Sequence, residues 1–161
     1  MDNTLQFAHI EYSITTRSID IFNNGCDGCC KGCCNTEIKN WNLKGIDPQQ
    51  VILKTIHLLE KFSNVVDRII LVGGDPVDAY KHYPKEYLEF VQQIKLDKPI
   101  YLFTRHELKD IPKELLKEVD YVKTGAYIPE LTCDDNIQYG IKLATSNQKI
   151  HKVSELEEVW K

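Results

Sequence analysis

Five of the six cysteines fall between Cys26 and Cys34, in the stretch Gly25-Cys26-Asp27-Gly28-Cys29-Cys30-Lys31-Gly32-Cys33-Cys34; the sixth is Cys133. Cysteines this close together make poor disulfides, because the bridge demands a specific geometry. In a reducing compartment such a cluster reads first as metal ligation. One register in the run, Cys26-x3-Cys30-x2-Cys33, occurs only once. Thiolates are the usual ligands of iron–sulfur clusters. Three of them on a four-iron cluster leave one iron without a protein ligand, an open position like that of a catalytic zinc site. Gly25, Gly28 and Gly32 suit a loop that must wrap a bulky inorganic core. Other chemistries stay open on these residues. Zinc could be held by Cys26-x2-Cys29 with Cys30-x2-Cys33, although zinc ligand pairs usually stand about 12–20 residues apart. A four-cysteine electron-transfer cluster could recruit Cys29, Cys34 or Cys133, and redox-sensing thiols are a third possibility. On its own, Cys133 reads as a small buried hydrophobe.

The second group with chemical potential is Gly73-Gly74-Asp75-Pro76, which follows the apolar run 68–72. Two glycines allow a ligand to approach the backbone and permit positive φ. The elements that would position both groups alternate between strand and helix periodicity. Strands are expected at 18–22, 68–72, 99–103, 121–123, 141–144 and 150–153. Helices are expected at 47–62, with Asp47 as N-cap and Pro48 at the first position, at 84–94 and at 111–119. A capping box is expected from Ser154 to Glu157. Alternating strands and helices imply βαβ units and a mostly parallel sheet. An eight-stranded barrel needs about 200 residues or more, and the chain has 161. The expected fold is therefore α/β: one domain over 1–161, a partial, open TIM-like barrel of about five to six βα units. Ligands of such sheets sit at the C-terminal strand ends. That places the cysteine loop and the glycine turn on the same face.

Cys-x3-Cys-x2-Cys followed by Gly-Gly-Asp-Pro resembles the radical S-adenosylmethionine superfamily. Within it, the chain is similar to the small activating proteins of anaerobic ribonucleoside-triphosphate reductases. Four further segments share in the resemblance: 17–26 (RSIDIFNNGC), 33–37 with Trp41 after it, 119–131 (VDYVKTGAYIPEL) and 144–153 (ATSNQKIHKV). The chain differs from the family pattern at Cys34, where the family has histidine, at Thr36, where it has proline, and at Thr124-Gly125, where it has Asp-Gly. The glycine-rich segment expected before Arg17 is Tyr12-Ser13-Ile14-Thr15-Thr16.

The resemblance implies an oxidoreductase with two cofactors, a [4Fe–4S] cluster on Cys26, Cys30 and Cys33 and S-adenosylmethionine bound at its open iron. Gly73, Gly74, Asp75 and Pro76 would hold the methionine amino group, Thr104 would meet the carboxylate side, and Asn147 would lie near the adenosine. The implied partners are a glycyl radical enzyme, first of all anaerobic ribonucleotide reductase, and an electron donor such as flavodoxin or ferredoxin. A small radical S-adenosylmethionine enzyme acting on a small molecule is the alternative within the superfamily. The compact chain favours the activase, because it leaves little room to enclose a separate substrate. A non-catalytic iron–sulfur or zinc protein is the alternative of another class.

Formal net charge is −4, with no basic stripe, which gives no reason to expect nucleic acid. No apolar run approaches the roughly 20 residues of a membrane span. Residues 1–13 lack the basic start and apolar stretch of a secretory signal, so the expected location is the cytoplasm. The five histidines form no ligand spacing and read as structural or surface residues.

Overall fold

A computed structural model describes residues 4–28 and 36–160 of the chain. Among them, six strands form one sheet in the order β1 (Phe7–Ser13), β2 (Ser18–Asn23), β3 (Arg68–Gly73), β4 (Ile100–Phe103), β5 (Tyr121–Thr124) and β8 (Lys149–Lys152). The inner pairs β2–β3, β3–β4 and β4–β5 are parallel, while β1 pairs antiparallel to β2 and β8 antiparallel to β5. A separate antiparallel ribbon joins β6 (Ile137–Gln138) to β7 (Ile141–Lys142).

This arrangement corrects the expected barrel. The sheet is mixed and open, with β1 and β8 at its two edges. A barrel closes only when every strand has two neighbours and the strands stagger around an axis. Here the last βα-type repeat ends at β5, and the chain returns through the β6–β7 ribbon as an antiparallel edge strand. Three parallel pairs are too few for five or six βα units.

The helices are α1 (Pro48–Lys61), α2 (Pro76–His82), α3 (Pro84–Gln93), α4 (Lys113–Leu116) and α5 (Glu157–Trp160). Each of the first three begins on proline, which lacks only an N–H that a helix's first turn leaves unbonded anyway. Asp47 caps α1 by accepting from Gln50 N at 3.0 Å, as the sequence implies. Because strand side chains alternate faces, Ile69 and Leu71 of β3 join the helix-side core with Val51, Leu59, Val77, Tyr87 and Phe90. Ile70 points the other way and packs with Tyr101, Ile150, Ile141 and Leu143. No helix among the described residues is long and apolar enough to cross a membrane.

Three expected elements contract, the first being the strand over 141–144, which is reduced to β7 (Ile141–Lys142). The helix over 111–119 is reduced to α4, preceded by a 3-10 turn at Leu108–Asp110, because Pro112 holds the chain extended (ψ 133°) just before it and no side chain caps the start. Ser154 lies inside a 3-10 turn, Val153–Glu155, and α5 starts only at Glu157, so the capping box is not formed.

Candidate metal centre

The C-terminal ends of the four central strands lie side by side, with Asn23 opposite Gly73 and Phe103 opposite Lys123. The chain leaving β2 runs directly into Gly25, Cys26, Asp27 and Gly28. Gly25 N donates to Ile38 O (2.6 Å) and Cys26 N to Lys39 O (3.2 Å), so the loop is fastened to the 3-10 turn Thr36–Lys39. It is also fastened to the glycine turn. Gly74 N donates to Asn23 O at 2.8 Å, and Asp75 N to Gly25 O at 2.9 Å.

The glycine pair has a packing cause. Gly73 has φ +112°, and a Cβ there would fall 2.5 Å from Phe22 Cα; at Gly74 it would fall 1.9 Å from Gly25 O. The missing side chains let β3 close against the exit of β2, and the space they would need is filled by protein backbone.

Asp75 is 3% exposed. Its carboxylate accepts from Val77 N (2.9 Å) and Asp78 N (3.3 Å), which makes it the N-cap of α2. It also accepts from Thr104 Oγ1 (2.9 and 3.0 Å) and Arg105 N (2.9 Å). Burial pushes the Asp75 carboxyl above the ordinary carboxylate range, and the nearby Asp78 charge adds to that. Thr104 stands at the end of β4, as expected, but its hydroxyl is spent on Asp75. Thr104→Val should therefore cost about 1–3 kcal/mol, by stripping a donor from a buried carboxylate. Urea unfolding checks this as a lower midpoint at unchanged m-value; an unmoved midpoint would contradict it.

Cys26 Sγ accepts from Gly28 N at 3.3 Å, and Cys26 and Cys133 are in no disulfide. One ligand atom from each of Cys26, Asp75 and Asp78 lies within 4.8 Å of the others. Burial pushes the Cys26 thiol up to about 11, countered by the Gly28 N–H and raised further by the Asp75 charge. The proton must leave when a metal binds, since the thiolate is the ligand.

Asp78 is 1% exposed and ties three segments together. It accepts from Asp27 N (2.9 Å), Arg105 Nη2 (3.0 Å) and His106 Nε2 (2.7 Å). Burial opposes its charge, but these three donors hold its carboxyl below the ordinary value. Outside this layer, Asp27 accepts from Trp41 Nε1 (2.9 Å) and faces His82 Nε2 (2.9 Å). The Trp41 and His82 rings stack at 3.8 Å.

The structure thus brings Cys26, Gly73, Gly74, Asp75, Pro76 and Thr104 to one place. Cys30 and Cys33, with Cys29 and Cys34, lie outside the described residues. Asn147 lies in the turn before β8 and is not among the candidate ligand atoms that gather Cys26, Asp75 and Asp78. It is exposed, donates to Ala126 O (2.9 Å) and accepts from Thr145 Oγ1 (2.6 Å). Sequence reasoning missed Asp78, Arg105 and His106. The only signal was their nearness in the chain to Asp75 and Thr104.

The donors present fit an iron–sulfur centre. Cys26 is half-buried in a loop at the strand ends, its sulfur accepts a backbone N–H, and the buried Arg105 Nε has no acceptor of its own among the described residues. A cationic donor near the Cys26 sulfur suits an anionic cluster, whose potential such donors tune. This is the site of an iron–sulfur protein. The chain belongs to the family described as the 4Fe-4S single cluster domain, whose model matches residues 16–151. No curated protein and no solved structure matches it.

Proposed function

We propose that the chain is a radical S-adenosylmethionine protein of the glycyl-radical-enzyme activating type. Cys26, Cys30 and Cys33 would hold the four-iron cluster in it. The observation that supports this reading is the pair of backbone bonds, Gly74 N to Asn23 O and Asp75 N to Gly25 O, that join the Gly-Gly-Asp-Pro turn to the cysteine loop. Once reduced, such a cluster supplies the electron that splits S-adenosylmethionine into methionine and a 5′-deoxyadenosyl radical.

The protein's part is binding and placement. Cys26 would be a ligand whose sulfur is oriented by the Gly28 N–H. The backbone of Gly73, Gly74 and Asp75 would receive the methionine amino group beside it. The Asp75 side chain would act indirectly, by capping α2 and holding Thr104 and Arg105, and so keep that backbone rigid. Asn23 Oδ1 and Asn24 Oδ1, buried at the end of β2, accept no hydrogen bond among the described residues. Asn147 would act at the adenosine side. The partner would be a glycyl radical enzyme, with anaerobic ribonucleotide reductase first, and the reductant a flavodoxin or ferredoxin.

The test is anaerobic reconstitution with iron and sulfide, followed by reduction in the presence of S-adenosylmethionine and assay for 5′-deoxyadenosine. The expected result is stoichiometric or greater product. A fully loaded four-iron protein that forms none would overturn the reading in favour of an electron carrier.

A further inference from the structure

Arg105 follows Thr104 at the end of β4 and reaches across to the cysteine loop. Its Nη2 donates to the buried Asp78 carboxylate at 3.0 Å, which anchors one edge of the guanidinium. The side chain crosses the Cα of Gly28, where a Cβ would lie 2.3 Å from Arg105 Nε and 2.5 Å from its Cδ. Gly28 is therefore a position where the loop has given up a side chain to admit the arginine. The Nε–H is buried and has no acceptor among the described residues. Burial works against the Arg105 charge, yet Asp78, Cys26 and Asp75 together hold it firmly protonated, and Arg105 in turn favours the Cys26 thiolate. His106, the next residue, donates to the other Asp78 oxygen at 2.7 Å. Asp78 also receives the Asp27 N–H, so the same carboxylate that orients the arginine fixes the residue after Cys26.

From this geometry we infer that Arg105 is a positioning residue for the metal centre: held by Asp78, it sets a fixed positive charge beside the Cys26 sulfur and stabilises the reduced cluster relative to the oxidised one. The inference rests on the reading that Cys26 is a cluster ligand. It assigns a role to a residue outside both sequence motifs. A cluster on three thiolates is anionic and gains a further negative charge on reduction, so a nearby fixed cation raises its midpoint potential. Replacing Arg105 removes that cation and leaves Asp78 without its charge partner. Both changes lower the potential.

The experiment is a redox titration of the anaerobically reconstituted protein, followed by electron paramagnetic resonance without S-adenosylmethionine. It compares wild type, Arg105→Gln, Arg105→Lys and Cys26→Ala, with thermal melting of the cluster-free proteins as the reading of fold. Arg105→Gln should favour the oxidised cluster at least tenfold, a fall of about 59 mV for one electron. Arg105→Lys, which keeps the charge, should stay within a factor of about three of wild type. A folded Arg105→Gln that loses its cluster, with Arg105→Lys keeping it, supports the same role. An unchanged midpoint in folded Arg105→Gln overturns the inference, as does melting of both variants well below wild type, which would make the residue purely structural. Should Arg105→Gln alone fail to fold, the Lys variant decides, and a tenfold shift there counts against the charge. A four-iron cluster retained in Cys26→Ala would instead remove the premise, and so separates failure of the ligand assignment from failure of the arginine's role.

Discussion

Cys26→Ala, Cys30→Ala and Cys33→Ala are each expected to leave the reconstituted protein without its four-iron centre, while Cys29→Ala, Cys34→Ala and Cys133→Ala keep it. In the proposed set of three thiolate ligands, losing one leaves two irons without a protein ligand. Cys26 is the ligand whose surroundings are described, and its position is set by backbone. Gly25 and Cys26 donate to Ile38 O and Lys39 O, and Asp75 N holds Gly25 O. Cys133 is held elsewhere, its N–H donating to Ala144 O, and belongs to none of the candidate ligand groups among the described residues. Iron and acid-labile sulfide per chain are the readout. A centre that survives Cys33→Ala but is lost with Cys133→Ala would point to a four-cysteine electron-transfer cluster.

Gly74→Ala should damage the protein far more than Gly140→Ala. A Cβ at Gly74 would lie 1.9 Å from Gly25 O and 2.5 Å from Gly25 C, both backbone atoms of the loop that presents Cys26. Backbone cannot swing aside like a side-chain tip, so β3 and the exit of β2 must separate. That puts the 2.8 Å and 2.9 Å bonds from Gly74 N and Asp75 N at risk. Overpacking of this kind costs about 3 kcal/mol, and cluster loading should fall with it. Gly140→Ala is the control. It has no heavy atom within 4 Å of the added methyl but a φ of +76°, so its cost is limited to the backbone term of about 1–2 kcal/mol, with loading unchanged. Urea unfolding and iron content of the two variants check the ranking, and equal losses would contradict it.

The positions of α1, β3, α3, β4 and β5 were legible from periodicity because their patterns are clean, as in the Ile69/Leu71 alternation and the Asp47–Pro48 start. β1 was missed. A register irregularity between Phe7 and His9 breaks its alternation of inward and outward residues. α2 was missed because it is only seven residues long, follows the glycine turn immediately and is buried over most of its length, including Asp78, so it shows no amphipathic stripe. The barrel expectation failed at the edges. Strand direction is a property of pairing, and nothing in FAHIEYS or KIHK distinguishes an antiparallel edge from another parallel repeat.

The candidate site was legible as motifs but not as a mechanism of support. Cys26 and Gly73 to Pro76 announce themselves by type and spacing. That Asp75 spends its carboxylate on Thr104 and Arg105, and that Asp78 gathers Asp27, Arg105 and His106, depends on contacts across 27 to 51 residues of sequence. Such contacts leave no local trace, and His106 in particular reads as an ordinary surface histidine until its Asp78 partner is seen.

We proposed that the centre at the strand ends keeps one iron open for S-adenosylmethionine. That proposal is tested most directly by electron paramagnetic resonance of the reduced, reconstituted protein before and after that compound is added, because ligation at an iron changes the cluster's electronic environment. The expected result is a spectrum that changes with S-adenosylmethionine, does not change with adenosine alone, and is absent in Cys26→Ala. A spectrum identical with and without S-adenosylmethionine in a fully loaded four-iron protein would contradict it.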